Sequence, residues 1–227
     1  MDTGSFADRP VVMVALLAAL ALLPFVLVMM TSFVKIAVVL SILRNAIGSP
    51  QVPPTMVVTG LAFVLSLVVM APVGSQVYAE VGSTLDRGAG ASLTSPQAAD
   101  AMLRAASGAK EPVRAFLARH AHARERALFV DLARRMRPPA ERDQVKDDDL
   151  TVLTPAFVTS ELKEAFAIGF LLFLPFLVID LLCANVLLSL GMHMLSPTTV
   201  SLPFKLLLFV LVDGWALLTR GLVLSYA

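Results

Sequence analysis

The sequence predicts an all-α membrane protein built from four apolar segments that form kinked helices or helical hairpins, with a polar helical insertion between the second and third. Three observations carry this. Of the 227 residues, 57% are apolar, where soluble domains hold about 45–50%. The mean hydropathy is +0.81. The charged residues concentrate between Glu80 and Glu164, leaving the flanks nearly uncharged. A net charge of +1 gives no footprint for a polyanion, which argues against nucleic acid as a partner. The lone Cys183 excludes an intramolecular disulfide and a multi-cysteine metal site.

Residues 11–30 are apolar apart from Pro24, which meets the roughly 20 residues needed to cross a hydrocarbon core. Asp2 and Asp8 against a single Arg9, with no small-x-small site after the run, favour a retained segment over a cleaved signal. Apolar character continues to 48, where Arg44 in the last turn and Gly48 and Pro50 beyond it mark a stop. A straight helix over both stretches would be about 57 Å long, so a kink at Pro24 or a break near Thr31 is expected. A second apolar run covers 56–73.

The insertion opens with a glycine-rich loop, VGSTLDRGAGAS. Ser95 and Pro96 then read as cap and first residue of a short helix ending near Gly108. A second helix is predicted from Pro112 to the Pro138–Pro139 pair, carrying Val113, Phe116, Leu117, Leu128, Phe129, Leu132 and Met136 at helical spacing. ERDQVKDDD reads as a solvated loop. Thr154 is expected to cap a helix that begins at Pro155 and enters the third apolar run (165–190); the fourth covers 202–226. The domain boundaries are therefore placed at 1–73, 74–154 and 155–227. Lys35 and Arg44, assigned to the first connection, put it in the cytoplasm by the positive-inside bias and the insertion outside.

Asp180, Lys205 and Asp213 each interrupt an apolar run. One such charge at a helix centre costs roughly 2.5–3.5 kcal/mol on insertion scales. They must face protein or water, and the simplest solution pairs Asp180 with Lys205. Within one chain or between copies is left open by the sequence, as is the choice between a structural ion pair and a proton or ion relay. Asp213 and Arg220 share a helical face about 10 Å apart, too far for a direct bond. Pro24, Pro175 and Pro203 each remove a backbone donor, which at membrane depth is tolerated where protein or water satisfies the freed group.

The remaining motifs carry less. His120 and His122 flank one alanine and point about 200° apart on a helix, which speaks against a joint metal site. Asp147, Asp148 and Asp149 lack the glycine and distal glutamate of a calcium loop. There is no phosphate-binding glycine loop, HExxH or nucleophile elbow, so no catalytic residue, metal or cofactor is assigned and the chain is not read as an enzyme. Met192, His193 and Met194 lie between two apolar runs beside Gly191 and Pro197. Methionine there serves either as filler or as a soft, adaptable seal.

Four stretches, 31–73, 155–169, 174–192 and 196–215, closely resemble the FliP/SctR family of export-apparatus core subunits in flagellar and virulence type III secretion. The motifs PFLVID, LGM and LPFK occur in the family's order. The resemblance implies a non-enzymatic subunit of an inner-membrane gate, present in several copies, five being the implied number. Its implied partners are FliQ/SctS-type and FliR/SctT-type subunits, and its implied cargo is unfolded protein. It also implies an ion pair between neighbouring copies, carried here by Asp180 and Lys205, and a gasket narrowing the closed channel, carried by Met192 and Met194. His193 takes a place that is methionine in many flagellar members. The chain's ending looks more like the virulence branch. The rival reading is an autonomous ion or solute transporter that uses Asp180, Lys205 and Asp213 as a relay.

Overall fold

The structure, a computed structural model, describes residues 10–49, 53–88 and 96–227. The described residues are helical, in the order α1 (Pro10–Met29), α2 (Phe33–Ile47), α3 (Thr55–Gly88), α4 (Pro96–His120), α5 (Ala123–Met136), a 3-10 helix (Pro139–Gln144), α6 (Leu150–Ser189), α7 (Pro197–Leu211) and α8 (Gly214–Leu224). Ser95 and Pro50 lie outside the described residues, as does the end of the glycine-rich loop. Among the described residues two helices, α3 over Thr55–Ala79 and α6, are long and apolar enough to cross a membrane. A third candidate arises if α7 and α8, bent by 61°, count as one broken span.

Within the apolar segments the helices break at places other than their prolines, whereas α4 begins at Pro96 and α5 ends just before the Pro138–Pro139 pair, as expected. The expected break near Thr31 is present, between α1 and α2, and α1 runs through Pro24. α3 passes through Pro72, α6 through Pro175 and α7 through Pro203. A proline removes one intrahelical hydrogen bond, and three of the breaks among the described residues sit instead where the backbone turns left-handed. Gly48 ends α2 at φ 89°, Gly191 follows α6 at φ 74°, and Asp213 separates α7 from α8 at φ 50°. Gly191 makes a complete helix stop: its N–H donates to Leu188 O (3.0 Å) and that of Met192 to Leu187 O (2.9 Å).

Four expectations for the insertion and its borders need correction. Residues 81–88, read as loop, belong to α3, because an isolated glycine lowers helix stability by only about 1 kcal/mol. The helix expected to stop at Gly108 continues through Pro112 to His120; the break falls at His122, which is extended (φ −62°, ψ 141°), so the HAH triplet straddles a helix end. α6 starts at Leu150, five residues before Pro155, since the Asp149 carbonyl accepts the N–H groups of Val152 (2.9 Å) and Leu153 (2.8 Å). Helix is thus continuous through residues 73–74 and 154–155. The segment read as a solvated loop holds the 3-10 helix and a buried Val145.

The chain divides into two compact units. One contains α1 and residues 70–160, the other residues 32–69 and 161–227. The first has a small core of Phe116, Leu117, Ala121, Val145, Val152, Leu153, Ala156 and Phe157. Phe116 meets Phe157 at 5.6 Å between centroids and His120 at 4.7 Å. Ser160 Oγ accepts the N–H of His122 (2.9 Å), satisfying the group freed at the helix break. Of the apolar positions expected at core spacing, Leu128, Leu132 and Met136 are instead exposed.

The second unit is organised around α2, whose Ile36, Val39, Leu40, Leu43, Ala46 and Ile47 form one buried stripe at i, i+3, i+4 and i+7 spacing. Val58 and Ala62 of α3, Ala165 and Phe176 of α6, Phe209 of α7 and Leu218 and Leu222 of α8 complete the cluster. Gly169 lets α6 approach α2 closely, since a Cβ there would stand 2.4 Å from Ile42 Cδ1. Gly169→Leu is expected to abolish this packing, and Gly169→Ala to weaken it by about 1–3 kcal/mol, read as a lower melting temperature in detergent and restored in part by Ile42→Val. Phe63, Val64, Leu67 and Val68 of α3, Phe170, Leu171 and Leu181 of α6, and Leu207, Val210 and Leu211 of α7 remain exposed.

Candidate functional site: a charge-sealed helical hairpin

α6 and α7 form a hairpin joined by the 190–196 turn, and its charges lie where α6 faces α7. Lys205 projects from α7 with only 2% of its surface exposed. Its Nζ lies 2.6 Å from Asp180 Oδ2 on α6 and donates to the carbonyl of Ala46 (3.0 Å) in the last turn of α2. Ser201 Oγ, one turn earlier on α7, donates to Asp180 Oδ1 at 2.5 Å. Each oxygen of the carboxylate therefore has a donor, and the ammonium supplies a cation to the unsatisfied carbonyls at the C-terminus of α2, where the helix dipole is negative. Gly48 is part of the arrangement: a Cβ on it would lie 3.4 Å from Lys205 Nζ. Asp180 and Lys205 of one chain are thus within ion-pair distance of each other.

Asp213 is placed differently. It is exposed in this chain and occupies the left-handed position that bends α7 against α8. Aspartate is among the few residues other than glycine that tolerate this conformation. Phe209 and Trp215, on either side of the bend, meet edge to face at 5.3 Å. The turn carrying Met192, His193 and Met194 leaves all three exposed, Met194 at 99%. Just below it, Ile179, Leu182, Cys183, Val186, Leu187, Val200 and Phe204 line an apolar groove of about 380 Å³ between α6 and α7.

A second charged cluster lies in the same unit. Lys35, expected in the first connection as an orienting charge, is instead inside α2 and 1% exposed. Its Nζ is 2.8 Å from Glu164 and 3.6 Å from Glu161, both on α6, and 3.9 Å from the ring centroid of Tyr226. Tyr226 in turn donates its hydroxyl to Glu161 Oε2, while Glu161 Oε1 is buried without a hydrogen-bond partner among the described residues. Ser32 Oγ donates to Ser66 Oγ at 3.1 Å, joining α3 to the N-terminal end of α2. One signal was available in the sequence: Lys35 stands beside Ile36 in a helix with a continuous apolar stripe, and Glu161 and Glu164 are one turn apart. Among the described residues no group of three His, Cys, Asp or Glu is placed to hold a metal ion.

Helices long enough to span a bilayer, apolar outer faces and neutralised internal charges define a membrane protein whose surface is made to pack against lipid or other helices. The sequence pattern of the FliP family matches residues 16–222, and the chain belongs to that family. It is 49% identical to the Yop proteins translocation protein R of Yersinia pestis over 94% of this chain and 95% of the relative. It is 46% identical to the hypersensitivity response secretion protein HrcR of Ralstonia nicotianae, over 94% and 96%. It is also 46% identical to the flagellar biosynthetic protein FliP of Caulobacter vibrioides, over 100% of this chain and 80% of the relative.

Proposed function

We propose that the chain is a core subunit of a type III secretion export gate in the bacterial inner membrane. In this reading several copies, five in the family's pattern, assemble with FliQ/SctS-type and FliR/SctT-type subunits into the channel through which unfolded proteins leave the cell. The four apolar segments act as kinked helices and hairpins, and residues 74–154 lie on the periplasmic side. The subunit is a conduit rather than an enzyme. The observation that supports this most is the α6–α7 hairpin: its charges are neutralised at one end, while its apolar flanks and methionine turn are left uncovered by its own chain. α6 adds a length argument, because 40 residues make a rod of about 60 Å, twice the hydrocarbon thickness.

Within the assembly, Asp180 and Lys205 are assigned to the subunit boundary. Lys205 is enclosed, but the Asp180 side chain keeps 23% of its surface exposed, through which a neighbouring copy reaches the pair. Met192 and Met194 are assigned to the seal of the closed channel. Replacing both by alanine is expected to raise ion leakage through the assembled complex while leaving assembly intact on native gels. Unchanged leakage would remove the turn from the path. The transporter reading is separated by reconstitution: coupled uptake by the purified chain alone would favour it, whereas conductance that appears only with the partner subunits favours the gate.

A further inference from the structure

The hairpin is electrically silent except at its tip. From Leu181 to Phe204 it carries no Asp, Glu, Lys or Arg. The charged residues that bound this stretch, Asp180 and Lys205, are bonded to each other and lie about 15 Å from the turn along α6 at 1.5 Å per residue. Cys183, the other ionisable side chain in the stretch, lines the apolar groove. The exposed turn holds His193 between Met192 and Met194. Imidazole is the one ordinary side chain whose charge changes between pH 5 and 8, and His193 is the one histidine between residues 181 and 204.

We infer that His193 makes the closed gate acid-sensitive: protonation charges the ring of turns, and the copies repel one another and loosen the methionine seal. The inference rests on the proposed function, in which the turns of several copies converge on the path. The opposing charge nearest in the hairpin, Asp180, is spent on Lys205 and Ser201, so nothing on α6 or α7 between 181 and 204 neutralises an imidazolium at the tip. Flanking thioethers are soft and adaptable, but they accept no ion pair. A ring of like charges around a narrow opening also favours anions over cations in whatever leaks.

The test is the closed-state conductance of the complete gate complex in planar bilayers at pH 8 and pH 5, for the wild type, His193→Gln, His193→Met and the Met192→Ala/Met194→Ala double variant. Acidification is expected to raise wild-type leakage by about threefold or more, as like charges at short range demand, and to shift the reversal potential toward anions. His193→Gln and His193→Met are expected to remove both responses. Two results overturn the inference: a wild-type gate indifferent to pH, or the same pH response in His193→Gln. The double methionine variant distinguishes the levels. If it leaks no more than wild type at pH 8, the placement of the turn in the path has failed; if it leaks more while acid has no effect on the wild type, only the role of His193 has failed.

Discussion

Replacing Lys35 by methionine is expected to destabilise the unit built around α2 by about 3–5 kcal/mol, the range for removing one partner of a buried ion pair. The ammonium is 1% exposed and neutralises Glu161 and Glu164 while resting on the ring of Tyr226. Glu161 is fully buried and already has one oxygen without a partner, so without Lys35 its charge keeps only the phenol hydroxyl as support. The damage is electrostatic rather than volumetric, because methionine fills nearly the same space. Lys35→Met combined with Glu161→Gln should therefore recover a substantial part of the loss. The check is a double-mutant cycle on the detergent-solubilised chain, with thermal unfolding as readout; additive effects would show that Lys35 acts on something other than Glu161.

The second large effect is expected at Lys205. Lys205→Met strips Asp180 of its counter-ion and the Ala46 carbonyl of its donor, and so loosens three helices at once. About 3–5 kcal/mol is again the relevant range, with loss of the higher-order complex on native gels. Asp180→Asn should be milder, since the amide oxygen still accepts from Ser201 or Lys205. Full assembly of both Lys205→Met and Asp180→Ala would refute the role of the pair.

The two ion clusters show where the sequence was legible. Asp180 and Lys205 stood out because each interrupts a long apolar run, and cost alone required a partner. Lys35 lies in the same kind of run but just after the break near Thr31, which made it resemble a flanking, orienting charge. Glu161 and Glu164 lie in the more polar N-terminal part of α6, where carboxylates are unremarkable until the C-terminal turn brings Tyr226 to them. That contact spans 65 residues, and no local pattern reveals it.

Helix breaks divide in the same way. Thr31 and Gly48 were readable from chain length and stop chemistry. Asp213 was not, because an aspartate in an apolar run reads first as an expensive charge and only with backbone geometry in hand as a left-handed corner. The insertion was the least legible part. The start of α4 at Pro96 and the end of α5 before Pro138 were legible, but the break between α4 and α5 and the start of α6 are set by a side-chain acceptor, Ser160, and by the Asp149 carbonyl.

The central claim is that the α6–α7 turn faces the route taken by exported protein. It is tested most directly by placing a photo-crosslinking residue at 192 or 194 in the complete complex and stalling an exported polypeptide within it. The account predicts crosslinks to the stalled chain from these positions, and none from Phe170, exposed on α6 well away from the turn. Stalled substrate that never crosslinks to 192 or 194, in complexes shown to be assembled and occupied, would contradict it.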